Sequence, residues 1–233
     1  MPLALPAQPA SVEHPRLLLA MLTDGRLPVG AHTQSGGLEQ AVVAGVVEAE
    51  VPMYLMARLR TVVVVEAATA VVARHHVLRG RDLGPVMEAW AARTPSGALR
   101  ANSCAQARGL LRLARTLWSS PADAAGWDSL PPGPCRPVAM GAVAAVAGLD
   151  ARQLVQWVGY DDCATVASAS LKLMPTDPAK PAGWLLATLG EIDELAARLE
   201  HLSDPADIPA PSAPLIDHWA EAHHLTRTRM FRA

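Results

Sequence analysis

Apolar residues recur at helical spacing along most of this chain. Between Ala98 and Trp118, Leu110, Leu113, Ala114 and Leu117 form one stripe, with Arg108, Arg112 and Arg115 on the opposite face. In the span 178–202, Ile192, Leu195, Leu199 and Leu202 share a face, and Glu194 stands four residues before Arg198, where the two can pair. Ser35 to Val47 reads as a helix opened by a serine N-cap, with Leu38, Val42 and Gly45 in register. Pro52 to Leu78 is harder to read, because Val62–Val65 alone has strand propensity. No turn signal interrupts it, so burial is expected to override propensity and give one long helix. Breaks at Gly80 and Thr94–Ser96 bracket a helix with Met87 and Trp90, and further helices are expected over 138–148, 150–173, 178–202 and 211–226. Asp150 with Gln153 resembles a capping box, and Asp177-Pro178 an N-cap with proline at N1. Leu17 to Leu22 is a short apolar segment. Loops are expected at Asp24–Gly30, where Gly25, Pro28 and Gly30 oppose regular structure, and at 119–137, which holds five prolines. Residues 1–15 read as a mobile leader and 16–233 as one all-α domain, a bundle of about eight to ten helices.

Composition supports the helical reading. Of 233 residues, 51% are hydrophobic, 18% charged and only 4% aromatic, with 44 alanines against a single phenylalanine, Phe231. So many apolar residues exclude general disorder. The shortage of bulky aromatics argues against sheets, and alanine loses no rotamer freedom in a helix. A net charge of −2 provides no global field for nucleic acid or an anionic membrane. Cys104, Cys135 and Cys163 are odd in number and widely spaced, which disfavours a disulfide framework or structural zinc and fits a reducing, cytoplasmic compartment. The first ten residues contain three prolines and no basic residue, unlike a signal peptide. The apolar run Val62–Ala73 is short for a membrane span and contains Glu66.

Candidate chemistry is sparse. The chain lacks a P-loop, a G-x-S-x-G elbow, an H-E-x-x-H helix and a dinucleotide fingerprint. His75-His76 and His223-His224 are adjacent pairs, and neighbours on a helix diverge by about 100°, too far to share one metal. Glu66 inside an apolar helix calls for an arginine from another helix; the rival reading makes it part of a metal-using enzyme together with a histidine. Arg108, Arg112 and Arg115 are either a solvated face or a docking strip for an acidic partner, and the methionines read as core fillers. At the C-terminus, Leu215, Trp219 and Ala222 mark an amphipathic helix, followed by Arg227, Arg229, Met230, Phe231 and Arg232. An apolar plug with basic neighbours predicts either insertion into a partner or docking on the protein's own body.

Several motifs, in order, resemble the UreF family of urease accessory proteins. Its D-x-x-L-P-x-G…S…G-L-E signature is met by Asp24, Leu27, Pro28, Gly30, Ser35, Gly37, Leu38 and Glu39. Its ending is met by Pro214, Asp217, His223, Arg229, Met230 and Phe231, its middle helix by Arg100, Ser103 and Gly109-Leu110-Leu111, and its R-L-x-P-L segment by Leu171–Pro175. Lys172 stands where that family more often has Arg, Thr176-Asp177-Pro178 replaces a usual L-G-Q, Met230 replaces Leu, Ala233 replaces Ser, and Ala31-His32 replaces a small residue and an aromatic. The resemblance implies an all-α, usually dimeric protein with no catalytic residues, no resident metal and no stably bound cofactor. It implies binding to UreD (also called UreH) and to the GTPase UreG, in an assembly that couples GTP hydrolysis to nickel insertion into apo-urease. GTP would be bound by the partner, and nickel handled by the complex. The partner-binding residues it implies are Asp24, Leu27, Pro28, Gly30, Ser35, Gly37, Glu39, Lys172, Asp217, His223, Arg229, Met230 and Phe231. In this reading Leu27 and Pro28 hold the N-terminal loop, Asp24 and Glu39 offer carboxylates, and a tail over 223–233 docks on UreD.

Overall fold

In the computed structural model, helix formation follows the periodicity with two main departures. Residues 14–27, 33–226 and 230–231 are described. The helices are α1 (Pro15–Leu22), α2 (Leu38–Val43), α3 (Val51–Arg60), α4 (Val62–Arg79), α5 (Gly84–Arg93), α6 (Gly97–Leu117), α7 (Pro121–Asp128), α8 (Arg136–Ala147), α9 (Ala151–Leu173), α10 (Ala179–Leu199) and α11 (Pro214–Leu225). Single 3-10 turns lie at Glu48–Glu50 and Pro205–Asp207. The described residues contain no strand, so the fold is all-α as expected.

The expected helix over 52–78 is two helices. Thr61 leaves the helical region (φ −128°, ψ −84°), and its hydroxyl donates to the Ala57 carbonyl at 2.6 Å, competing with the backbone ladder. Val62–Val65 nevertheless open α4 as a helix, because burial outweighs their strand propensity. The second departure is α7, inside the segment expected to be loop. Pro121 falls where a proline starts a helix rather than breaking it, and Ser120 with Asp123 forms a capping box. Trp127 then buries its ring and donates from Nε1 to the Trp118 carbonyl at 3.0 Å. The Asp150–Gln153 capping box is present as read. The buried stripe of α6 is Ser103, Ala107, Leu110, Leu111 and Ala114, leaving Leu117 half exposed. Glu194 and Arg198 do not pair. Instead Asp193 pairs with Arg152 and Glu191 with Arg60, tying α10 to α9 and α3.

The alanine excess becomes intelligible at the centre of the molecule, where α4 lies between α8 and α9. Ala67, Ala68, Ala70 and Ala73 of α4 and Ala139, Ala142, Ala144 and Ala145 of α8 are all buried. At Gly141 the backbones come so close that a Cβ would stand 2.4 Å from the Ala70 carbonyl oxygen. Small side chains let helix axes approach, so this core is dense without phenylalanine. The buried residues of α1–α11 and of the segments between them form one continuous cluster, which also takes in Phe231.

Candidate functional site

Two ends of the chain meet beside α2. Ser35 is fully buried, and Gly36 and Gly37 follow with φ of +60° and +81°. A Cβ at Gly36 would lie 2.8 Å from Val166 Cγ2, and one at Gly37 2.9 Å from the Tyr54 hydroxyl. Glycine is therefore required twice over, by conformation and by space. The Gly36 carbonyl accepts from Tyr54 Oη at 2.6 Å and from Arg58 Nη1 at 2.7 Å. Arg58 also grips Asp162 with two parallel bonds, Nε to Oδ1 at 2.8 Å and Nη2 to Oδ2 at 2.6 Å, with side-chain exposures of 7% and 13%. Burial works against the Arg58 charge, but the Asp162 carboxylate more than offsets it, and the guanidinium is held above its ordinary pKa.

The glycine turn delivers Glu39 at the start of α2, and the C-terminal segment lands on it. Glu39 Oε1 accepts from the Met230 N–H at 2.6 Å and Oε2 from the Phe231 N–H at 3.0 Å. His223 of α11 lies 3.2 Å from the Phe231 carbonyl through Nε2, with Gln40 Nε2 3.5 Å from its Nδ1. Nδ1 also lies 3.8 Å from Glu39 Oε2, so the imidazole links Gln40, Glu39 and the tail. The Phe231 ring is 4% exposed, with Lys172 Nζ 5.2 Å from its centroid. Each bond to the charged carboxylate contributes about 1.5–3 kcal/mol. Burying the ring adds about 1.5–3 kcal/mol, and the ammonium over its face about 0.5–1 kcal/mol. The anchor thus docks on the protein's own body, and Met230 beside it stays 62% exposed.

Beneath this junction lies a cavity of about 140 Å³ with both polar and apolar walls, reached by Gln34 and Gly36 from the loop and by side chains of α3–α6, α8, α9 and α11. Trp90 Nε1 donates to Glu66 Oε1 at 2.9 Å. Burial pushes the Glu66 carboxyl upward, against the opposing pull of Arg136. The ion pair with an arginine expected for Glu66 is not formed among the described residues: Arg136 acts on it only through space and is itself engaged with Asp161. Burial raises Asp161 too, again opposed by Arg136. Asn102 Nδ2 donates to Gln34 Oε1 at 2.9 Å, joining α6 to the loop. Among the described residues, those lining the cavity include no histidine.

The residues singled out from the sequence do not all converge. Ser35, Gly37, Glu39, Lys172, His223, Met230 and Phe231 gather at the junction, while Asp217 lines the cavity below, its carboxyl raised by burial and then by Glu221. Asp24 is engaged locally, with its side chain 35% exposed. It binds the backbone N–H and Nε of Arg26, and those bonds hold its pKa down to about 2. Glu39 is likewise taken up by the tail. Leu27 is half buried, and Tyr54 and Arg58 hold the loop at Gly36. Pro28, Gly30 and Arg229 lie outside the described residues. Sequence reasoning missed Tyr54, Arg58, Asp162, Gln40 and the Arg136–Asp161 pair. The available signal was an arginine and two adjacent aspartates placed inside otherwise apolar helices, where charges must pair.

Comparison with known proteins bears on the same residues. The family model described as UreF matches residues 27–189. A urease accessory protein UreF of Mycobacterium marinum (strain ATCC BAA-535 / M) is 38% identical over 221 residues, covering 91% of this chain and 95% of the relative. That of Mycobacterium sp. (strain JLS) is 37% identical over 207 residues, covering 88% and 92%. That of Mycobacterium tuberculosis (strain ATCC 25618 / H37Rv) is 35% identical over 208 residues, covering 88% and 93%.

Proposed function

The chain belongs to the UreF family of urease accessory proteins, and from that premise we propose that it is a non-catalytic scaffold that binds UreD/UreH and the GTPase UreG. The assembly couples GTP hydrolysis by UreG to insertion of nickel into apo-urease in the cytoplasm. This chain holds no cofactor of its own and works as a homodimer. The observation that carries the reading is the tail held on Glu39. Two consecutive backbone N–H groups on one carboxylate hold the Met230–Phe231 segment against α2, with the Met230 side chain left exposed. Preorganisation of this kind lowers the ordering cost of association. Partner contact is then made by the surface around the docked tail, not by insertion of Phe231.

Co-expression with affinity-tagged UreD and with UreG tests this. The wild-type chain is expected to co-purify with UreD and then to retain UreG, while Phe231→Ala loses UreD with its helical far-UV signal unchanged. Full retention by Phe231→Ala would remove the tail from the interface. No helix among the described residues is long and apolar enough to cross a membrane.

A further inference from the structure

The outward face of α6 carries a second surface that the tail junction does not use. Ala101, Ala105, Arg108, Arg112 and Arg115 are all exposed, while Ser103, Ala107, Leu110, Leu111 and Ala114 face the core. The exposed set is spaced four, three, four and three residues apart. That is the heptad spacing that keeps a seam in register with a second helix along its whole length, here about 21 Å. The seam is also divided. Its N-terminal half is alanine, which permits close backbone approach, and its C-terminal half is three arginines.

Helix α6 contains no Asp or Glu, and among the described residues the guanidinium groups of Arg108, Arg112 and Arg115 make no ion pair or hydrogen bond. Elsewhere Arg26, Arg60 and Arg152 do meet carboxylates, while among the described residues the exposed Arg79, Arg81 and Arg198 make no ion pair. Like charges three and four residues apart cost a helix about 0.2–0.5 kcal/mol per pair. The stripe therefore weakens its own helix slightly without any internal counter-charge. Guanidinium forks pair bidentately with carboxylates, and a helix bearing acids at the matching heptad positions would neutralise all three.

We propose that the α6 seam docks an acidic helix of a protein partner, with Ala101 and Ala105 setting the close approach and Arg108, Arg112 and Arg115 pairing with its carboxylates. This does not depend on the assignment of UreD or UreG as partners. The probe is a synthetic helical peptide with alanines and glutamates at the complementary positions, titrated against the full chain by fluorescence anisotropy. Its controls are a scrambled peptide of equal composition, a DNA duplex and phosphatidylserine vesicles. The matched peptide is expected to bind. Arg108→Glu/Arg112→Glu/Arg115→Glu should lower its affinity at least about tenfold, a lysine-for-glutamate peptide should recover binding to that variant, and Ala101→Leu/Ala105→Leu should weaken it with all charges kept. Equal binding of the scrambled peptide, no effect of the charge reversal, no binding of the matched peptide, or preferential binding of DNA or vesicles would overturn the proposal. The substituted positions are exposed, and circular dichroism of each variant checks that it folds.

Discussion

Replacing Asp162 with alanine removes the carboxylate from Arg58 while leaving the guanidinium where it is, 7% exposed among α2, α3 and α9. Two charge-assisted bonds are lost, at 2.8 and 2.6 Å, and only the Gly36 carbonyl remains as an acceptor. Removing one partner of a buried pair costs about 3–5 kcal/mol, most of it the penalty of a buried charge left uncompensated. In a fold whose total stability is about 5–15 kcal/mol, such a loss is large. Because Arg58 also holds the glycine turn, its double replacement separates the two roles. Arg58→Met/Asp162→Leu removes both charges and should recover most of the stability, short by about 1 kcal/mol for the donor lost at Gly36. Urea unfolding followed by circular dichroism measures both variants. If Asp162→Ala lies within about 1 kcal/mol of wild type, or the double variant is less stable than the single one, the pair does not anchor the loop as described.

Three further outcomes follow from the same geometry. Gly141→Ala pushes a Cβ to 2.4 Å from a backbone oxygen of α4 that cannot give way, and should cost about 1–3 kcal/mol in urea unfolding, where an ordinary helix position would gain from the same change. Glu66 has its folded pKa raised by burial, so the folded state holds the proton more tightly than the unfolded one. Its contribution is full below the ordinary glutamate range and is lost as pH rises through the folded value. Unfolding measured from about pH 4 to about pH 8 should show Glu66→Gln gaining on wild type as pH increases, and parallel curves would refute this. Glu39→Ala strips the acceptor from two backbone N–H groups, so the Met230 and Phe231 amides should lose hydrogen-exchange protection while those of α4 keep theirs.

How far the chain could be read in advance depended on how local the cause was. The Asp150 cap, the stripe of α10 and the helical state of Val62–Val65 follow from neighbours within a turn or from length and burial, and these were legible. Phe231 could be identified as an anchor because a lone aromatic among arginines is chemically out of place, yet its socket could not be read. Glu39 lies 192 positions from Phe231, and Arg58 lies 104 from Asp162, so neither pair leaves a mark at helical spacing. Proline misled in one place, where Pro121 begins α7 in a segment whose prolines suggested only loop. The pairing of Asp24 with Arg26, two residues on, is a local contact at the surface that no helical spacing marks.

The most direct test is complementation in a urease-positive host lacking its own UreF. Nickel content and activity are measured on the purified urease. The wild-type chain is expected to restore nickel-loaded, active urease, and Glu39→Ala and Phe231→Ala, expressed at equal levels, are expected not to. Full nickel loading with Glu39→Ala, or none with the wild type, would contradict this expectation.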